Sequence, residues 1–201
     1  MNQDRITPRR MRLGLFGGSF DPVHWGHLWA ARAAIEAMGL DRLIFIPAAQ
    51  SPFKTDHPPQ APPAERVRLL RLALAGQTDC EIDDCELRRG GISYTVDTLR
   101  EYTQRYPEAD LFYLIGADHV PTLPRWRGAD EVARRAVFVA LIRPGQPAAE
   151  FPPPFRGVNI AGFPVGLSSS EIRTRVRAGK PIDWLVPPAV AEAIRLRRLY
   201  V

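Results

Sequence analysis

Four short apolar runs alternate with stretches whose apolar residues recur at helical spacing, and a glycine-rich turn joins the first run to the first such stretch. Together these predict an α/β fold: a doubly wound, mostly parallel sheet with helices on both faces and a small C-terminal helical part. The 201 residues suffice for one domain with a substantial core, expected over residues 11–201. A hydrophobic share of 45% and a charged share of 24% place the chain among ordinary globular proteins.

The strands come first. Residues 12–16 (RLGLF), 42–47 (RLIFIP), 111–115 (LFYLI) and 137–142 (VFVALI) are nearly uninterrupted apolar runs, as expected of strands covered on both faces. Between the first two, Leu28, Ala31, Ile35 and Met38 fall on one helical face, and Gly39 is a natural stop. Further helices are predicted at 64–75, 95–106 and 129–135, which makes the connections right-handed crossovers. Two proline-rich stretches, 51–63 (SPFKTDHPPQAPP) and 144–154 (PGQPAAEFPPP), separate no complete domains and are expected as surface loops. The first follows the C-terminal end of a strand, where open α/β sheets bind ligands, so it is expected to act as a lid. Ser168-Ser169-Ser170-Glu171 predicts a capping box, with Ser168 as N-cap and Glu171 reaching back. The helix it opens should stop near Gly179, and a final helix is predicted over 188–198.

Composition excludes several classes. No apolar run is long enough to cross a bilayer. Residues 1–10 (MNQDRITPRR) lack the apolar centre of a secretory signal and are expected as a flexible tail, with Met11 a second possible start. A cytoplasmic protein is expected. Cys80 and Cys85, in CEIDDC without a neighbouring histidine, fit free thiols better than a zinc site. The formal charge of +5 suits nucleic acid, an acidic membrane face or small anions, and no nucleic-acid module selects the first.

Chemistry concentrates in GGSFDPVHWGH, residues 17–27, between the first strand and the first helix. Gly17 and Gly18, followed by Ser19 and Phe20, let the backbone approach an anion closely with its amides turned inward. His24 and His27, three apart at the helix start, place two imidazoles on one side of the first turn beside its positive dipole end. The string lacks the GK[ST] of a Walker loop and the G-x-G-x-x-G of a dinucleotide fingerprint, and Asp21 stands where a hydrolase elbow needs glycine. Two histidines without a third ligand nearby do not make a metal site. Either histidine alone could be a helix cap; the whole string favours a phosphate site.

GGSFDPVHWGH closely resembles the HxGH signature of the nucleotidylyltransferase superfamily, and SSSEIR (168–173) resembles its C-terminal phosphate-binding motif. With SYTVDTL (93–99), IGADHVPTLPRW (115–126) and IRPG (142–145), the resemblance extends across nearly the whole chain to the bacterial nicotinate-nucleotide adenylyltransferases. It implies a Rossmann-like fold and transfer of the adenylyl group of ATP, with Mg²⁺, onto nicotinate mononucleotide, giving deamido-NAD and pyrophosphate. It implies that His24 and His27 act on the triphosphate as catalytic residues. ATP would be held by Gly17, Gly18, Ser19, Phe20, Gly116, Asp118, Ser169, Ser170 and Arg173. The acceptor would be held by Lys54, Thr95, Trp126 and Arg127. Read alone, Thr95 and Asp118 are equally helix caps, Trp126 a core ring and Arg173 a solvated charge. The sequence departs from the family loop pattern at Phe53, where a histidine is usual, and at Ala48 and Ala49, where an asparagine is common. These departures bear on acceptor contacts, not on the ATP end. The rival readings are an adenylyltransferase for nicotinamide mononucleotide or phosphopantetheine, and a non-catalytic nucleotide-binding protein. No nucleic acid or membrane is expected as a partner; a homo-oligomer would leave no trace in the sequence.

Overall fold

The computed structural model describes residues 9–53, 56, 58–143, 145–161 and 166–201. The chain runs β1 (Arg12–Gly18), α1 (Trp25–Met38), β2 (Arg42–Pro47), α2 (Pro63–Ala73), β3 (Cys80–Ile82), α3 (Cys85–Arg89), α4 (Thr95–Arg105) and β4 (Asp110–Gly116). A 3₁₀ segment (Ala117–Arg125) follows, then α5 (Ala129–Arg135), β5 (Val137–Ile142), β6 (Gly157–Ala161), α6 (Ser169–Arg177) and α7 (Pro188–Leu196). The six strands order as β3-β2-β1-β4-β5-β6, and every neighbouring pair is parallel. The expected fold class is therefore correct, with a sheet that is wholly rather than mostly parallel.

Alternation along the strands sorts the core into two layers. On one face Phe16, Leu43, Phe45 and Leu114 pack with residues of α1, α2, α6 and α7. On the other, Leu13, Leu15, Ile44, Ile46 and Tyr113 pack against Val96, Leu99 and Tyr102 of α4 and Val132 of α5. Because β1 pairs with β2 on one side and β4 on the other, chain direction across the sheet reverses between β1 and β4. Such a reversal leaves a crevice beyond the carboxyl ends of those strands.

Some sequence expectations change. Strands β3 and β6 have no counterpart among the apolar runs, and the 3₁₀ segment and α3 match no predicted helix. At the start of α6, Ser168 Oγ accepts the Glu171 N–H at 3.2 Å, while the reciprocal bond from Glu171 back to Ser168 is not formed. Thr95 is the first residue of α4 rather than its cap, which is Tyr94. Of the expected tail, Arg9 pairs with Asp41, and Arg10 Nε donates to the Glu108 carbonyl at 3.0 Å. Cys80 and Cys85 are free thiols that burial pushes up to about 12, so both are unreactive near neutral pH. Among the described residues no helix is long and apolar enough to cross a membrane.

Candidate active site

The β1–α1 connection builds the floor of the crevice. A side chain at Gly17 would strike the Tyr113 hydroxyl, with its Cβ only 2.6 Å from that oxygen, so glycine here leaves room for the Tyr113 ring. Phe20 takes φ 46, a left-handed backbone that a bulky residue adopts only when its surroundings enforce it. Its ring is buried between Phe16, Phe45 and His27, with centroids 5.5, 5.5 and 5.0 Å away, and that packing holds the turn. Arg66 of α2, almost fully buried, fixes the turn from below: its Nη1 donates to the Ser19 carbonyl at 2.7 Å and to the Ala48 carbonyl at 2.9 Å.

His24 is the N-cap of α1 with extended backbone, and His27 lies in the first turn. Their ring centroids are 3.8 Å apart. The His24 backbone N–H donates to His27 Nδ1 at 3.3 Å, which makes Nδ1 the acceptor and puts the His27 proton on Nε2. Gly26 separates the two histidines because a Cβ there would come within 3.0 Å of the His24 ring. His24 is 5% exposed and its Nδ1 has no hydrogen-bond partner. Burial, then the Arg143 guanidinium, lower its pKa to about 4, so the imidazole is neutral at pH 7.

Helix α6 closes the opposite wall. Ser169 Oγ donates to the Pro22 carbonyl at 2.9 Å, and Arg173 Nη1 donates to the Asp21 carbonyl at 2.7 Å. Arg173 Nη2 donates to Ser170 Oγ at 3.2 Å, while its buried Nε is unpartnered. These bonds pin the positive N-terminal end of α6 over the β1–α1 turn. The resulting cleft is about 970 Å³ and is lined by Gly17, Gly18, Ser19, Phe20, His24, His27, Gly116, Ser169, Ser170 and Arg173, together with Arg143 and His119.

A smaller cavity of about 190 Å³ opens from the same floor and shares Gly17, Gly18, Ser19, Gly116 and His119 with the cleft. Thr95 and Trp126 line it, with Phe53, Tyr113, Ser93 and Glu86. Thr95 Oγ1 donates to Tyr113 Oη at 3.4 Å. Trp126 is fixed by its Nε1–H, which donates to Thr122 Oγ1 at 3.1 Å, and by the edge of Phe138. The Phe53 ring sits 5.6 Å from both Trp126 and His119. Glu86 is buried and accepts Thr98 Oγ1–H at 2.6 Å; burial raises its pKa above the ordinary carboxylate range.

Not every expected residue joins this assembly. Asp118 is exposed on the rim, its carboxylate folded against Gly116, and it lines neither cavity. Arg127 is exposed, its guanidinium 4.6 Å over the Tyr94 ring, and its side chain also lines neither. Lys54 lies outside the described residues. Conversely, Arg66, Arg143, Tyr113 and Glu86 join the site with no local signature in the sequence. Arg66 has the pattern of a helix surface charge, and Arg143 is one residue of the IRPG stretch. Asp21 carries a sequence signal only against a hydrolase elbow.

A set of three possible metal ligands, Asp83, Cys85 and Glu101, is taken up by arginines: Arg88 and Arg105 pair with Asp83, and Arg89 and Arg105 with Glu101. Within the cleft the carboxylates are Asp56 and Asp21, and Asp21 already accepts two backbone amides. This donor set fits a cation that arrives on a phosphate ligand better than a protein-built cage.

Residues 15–175 match the cytidylyltransferase-like family. A probable nicotinate-nucleotide adenylyltransferase of Opitutus terrae is 42% identical over 192 residues, covering 94% of this chain and 98% of that protein. One from Thermus thermophilus is 43% identical over 190 residues, covering 94% of this chain and all of the other. The fold is also that of the Plasmodium falciparum nicotinic acid mononucleotide adenylyltransferase solved with NaAD, at a TM-score of 0.77 and 17% identity, covering 94% of this chain and 97% of that one.

Proposed function

The chain belongs to the nicotinate-nucleotide adenylyltransferases, and from that premise we propose how its cleft divides the work of moving an adenylyl group from ATP to nicotinate mononucleotide. The larger cleft takes ATP, its triphosphate against the Gly17–His27 turn and the α6 N-terminus. The smaller cavity takes the pyridine end of the acceptor, stacked on Trp126, with its carboxylate near Thr95. One observation carries this reading: the two cavities meet at Gly17, Gly18, Ser19 and Gly116, so an acceptor phosphate and the α-phosphate of ATP can face each other there.

The chemistry needs no covalent intermediate. An acceptor phosphate oxygen forms a bond to the α-phosphorus, and the bond from that phosphorus to the oxygen bridging to the β-phosphate breaks. Pyrophosphate leaves with that oxygen and its electron pair. Catalysis then rests on alignment and on stabilising negative charge that shifts to the leaving group. The imidazole of His27, carrying its proton on Nε2, and the nearby neutral His24 supply donors there. Arg173, with an unpartnered Nε, and the α6 N-terminus hold the outer phosphates. Enzymes of this kind use a divalent cation with ATP; here Mg²⁺ would be held mainly on the triphosphate and would supply charge neutralisation.

The two-ended arrangement is tested by splitting the Michaelis constants. Arg173→Ala should raise KM for ATP by roughly tenfold or more, the loss of a charge-assisted contact of about 1.5–3 kcal/mol, with KM for the acceptor little changed. Trp126→Ala should do the reverse. If both variants move the same constant, the assignment of ends is wrong.

A further inference from the structure

Asp21 is the crossing point of four separated segments. Its carboxylate, 3% exposed, accepts the backbone N–H of Gln60 at 2.7 Å and of Ala61 at 3.0 Å. It also accepts the hydroxyl of Tyr200, one residue before the end of the chain, at 2.9 Å and fully out of solvent. Its own carbonyl takes the bond from Arg173, and the carbonyl of the next residue, Pro22, takes the one from Ser169. Yet the Arg173 guanidinium stands 3.8 Å from the Asp21 carboxylate, beyond a hydrogen bond. A buried carboxylate beside a guanidinium ordinarily closes that gap into a direct pair. Here three other donors hold the carboxylate: the Gln60 N–H on Oδ2, the oxygen nearer the guanidinium, and the Ala61 N–H and the Tyr200 hydroxyl on Oδ1.

The end of the chain is built for that contact. Beyond α7 the backbone turns twice through the left-handed region at non-glycine residues, Arg198 with φ 50 and Tyr200 with φ 67. A non-glycine residue there is strained, so the surroundings must fix the conformation. They do: Arg197 pairs with Glu65 of α2, Leu199 packs on the core and Tyr200 is buried. The strain delivers one polar atom, the Tyr200 hydroxyl, to one carboxylate oxygen beneath the nucleotide cleft. Burial, followed by the charge of Asp21, raises the phenol pKa, so it stays a donor throughout the working range.

We propose that Tyr200 is a positioning residue for adenylyl transfer: by occupying Asp21 it keeps the carboxylate from capturing Arg173, and so leaves the arginine available to the phosphates of ATP. The inference rests on the reading of Arg173 as a phosphate ligand. Removing the hydroxyl leaves Oδ1 with the Ala61 N–H alone, and a carboxylate with one tether fewer can tilt Oδ2 toward the guanidinium 3.8 Å away. A direct Asp21–Arg173 pair would neutralise the cation and draw it off the cleft.

The test is Tyr200→Phe against two controls, Arg173→Ala and Leu199→Ala, with KM for each substrate measured at 25 °C and binding of a non-hydrolysable ATP analogue measured by calorimetry at 10 °C. The Phe variant should raise KM for ATP and the analogue Kd by roughly tenfold, as for loss of one hydrogen bond to a charged group, while KM for nicotinate mononucleotide moves less than about twofold. Leu199→Ala loosens the same tail without touching Asp21; it should lower the melting temperature and leave KM for ATP in place. Unchanged ATP constants in Tyr200→Phe, a parallel rise in both Michaelis constants, or an equal rise in Leu199→Ala would overturn the proposal. The low-temperature calorimetry keeps the test valid if the Phe variant is too unstable for assay. If Arg173→Ala also leaves ATP binding intact, the phosphate reading of Arg173 fails; if it weakens ATP binding and Tyr200→Phe does not, only the Tyr200 role fails.

Discussion

His24 and His27 share a motif and a turn but not an environment. His27 has its tautomer set by the His24 backbone amide, whereas His24 is buried, neutral and has an unsatisfied Nδ1. A neutral imidazole with a free nitrogen costs stability in the empty protein, and a polyanion beside it would recover that cost by raising its affinity for a proton. His24→Ala and His27→Ala should therefore each lower kcat by about 10²–10³-fold, the usual loss on removing one preorganised donor, with melting temperatures close to the unsubstituted protein. Near-normal turnover in both folded variants would contradict the mechanism. Burial also ties His24 to acid stability. Its folded-state pKa of about 4 lies below its ordinary 6.5, so as pH falls from 6.5 toward 4 the unfolded chain takes up the proton first and stability drops. The expected loss is on the order of 3 kcal/mol across that window. Denaturant titrations at pH 7 and pH 4.5 should show a smaller drop for His24→Gln than for the unsubstituted protein; equal drops would mean that His24 is not held neutral by the fold.

Elements with long apolar runs were legible in the sequence, and those without were not. Strands β2 and β5 begin and end at the predicted residues because both faces are covered over nearly their whole length, so all positions but Arg42 are apolar. Strand β3 is three residues long at the sheet edge and β6 sits at the other edge with Val158 and Ala161 exposed, so neither needed a continuous apolar pattern. The phosphate turn was visible because its chemistry requires glycines and histidines contiguous in the chain. Arg66, Tyr113 and Glu86 were not, since each is brought in from a different element by tertiary packing and has an ordinary local sequence. The loop over 51–63 lies between these cases. Its far end is anchored, with the Gln60 and Ala61 amides bound to Asp21, while Phe53 reaches the acceptor cavity half exposed. A lid hinged at that anchor should show slow hydrogen exchange at Gln60 and Ala61 in all states, and protection around Phe53 that increases when nicotinate mononucleotide is added. Identical exchange around Phe53 with and without the acceptor would remove the lid.

At the scale of the whole molecule, one parallel sheet, reversing its winding between β1 and β4, places two glycine-bearing strand ends side by side and lets helices from opposite faces line two adjoining cavities. In the proposed division the ATP end would draw on α1 and α6, and the acceptor end on α4 and on Trp126, just beyond the 3₁₀ segment. Acceptor choice would then be decided at one end without altering the other. The nicotinate and nicotinamide mononucleotides differ only in carboxylate against carboxamide, and backbone N–H groups at the start of α4, around Thr95, would suit an acceptor-only group, whereas the Trp126 N–H is already donated to the Leu123 carbonyl. Setting an amide NH₂ against such a donor costs about 1–3 kcal/mol, roughly tenfold to a hundredfold in selectivity. Altering Thr95 should shrink that preference, whereas Trp126→Ala should weaken both acceptors alike because stacking hardly distinguishes them. The most direct measurement is pyrophosphate release from ATP, with kcat/KM determined for nicotinate mononucleotide, nicotinamide mononucleotide and phosphopantetheine under one set of conditions. Nicotinate mononucleotide should lead the nicotinamide form by at least about tenfold, with phosphopantetheine inert; equal efficiency toward the two mononucleotides would contradict the account.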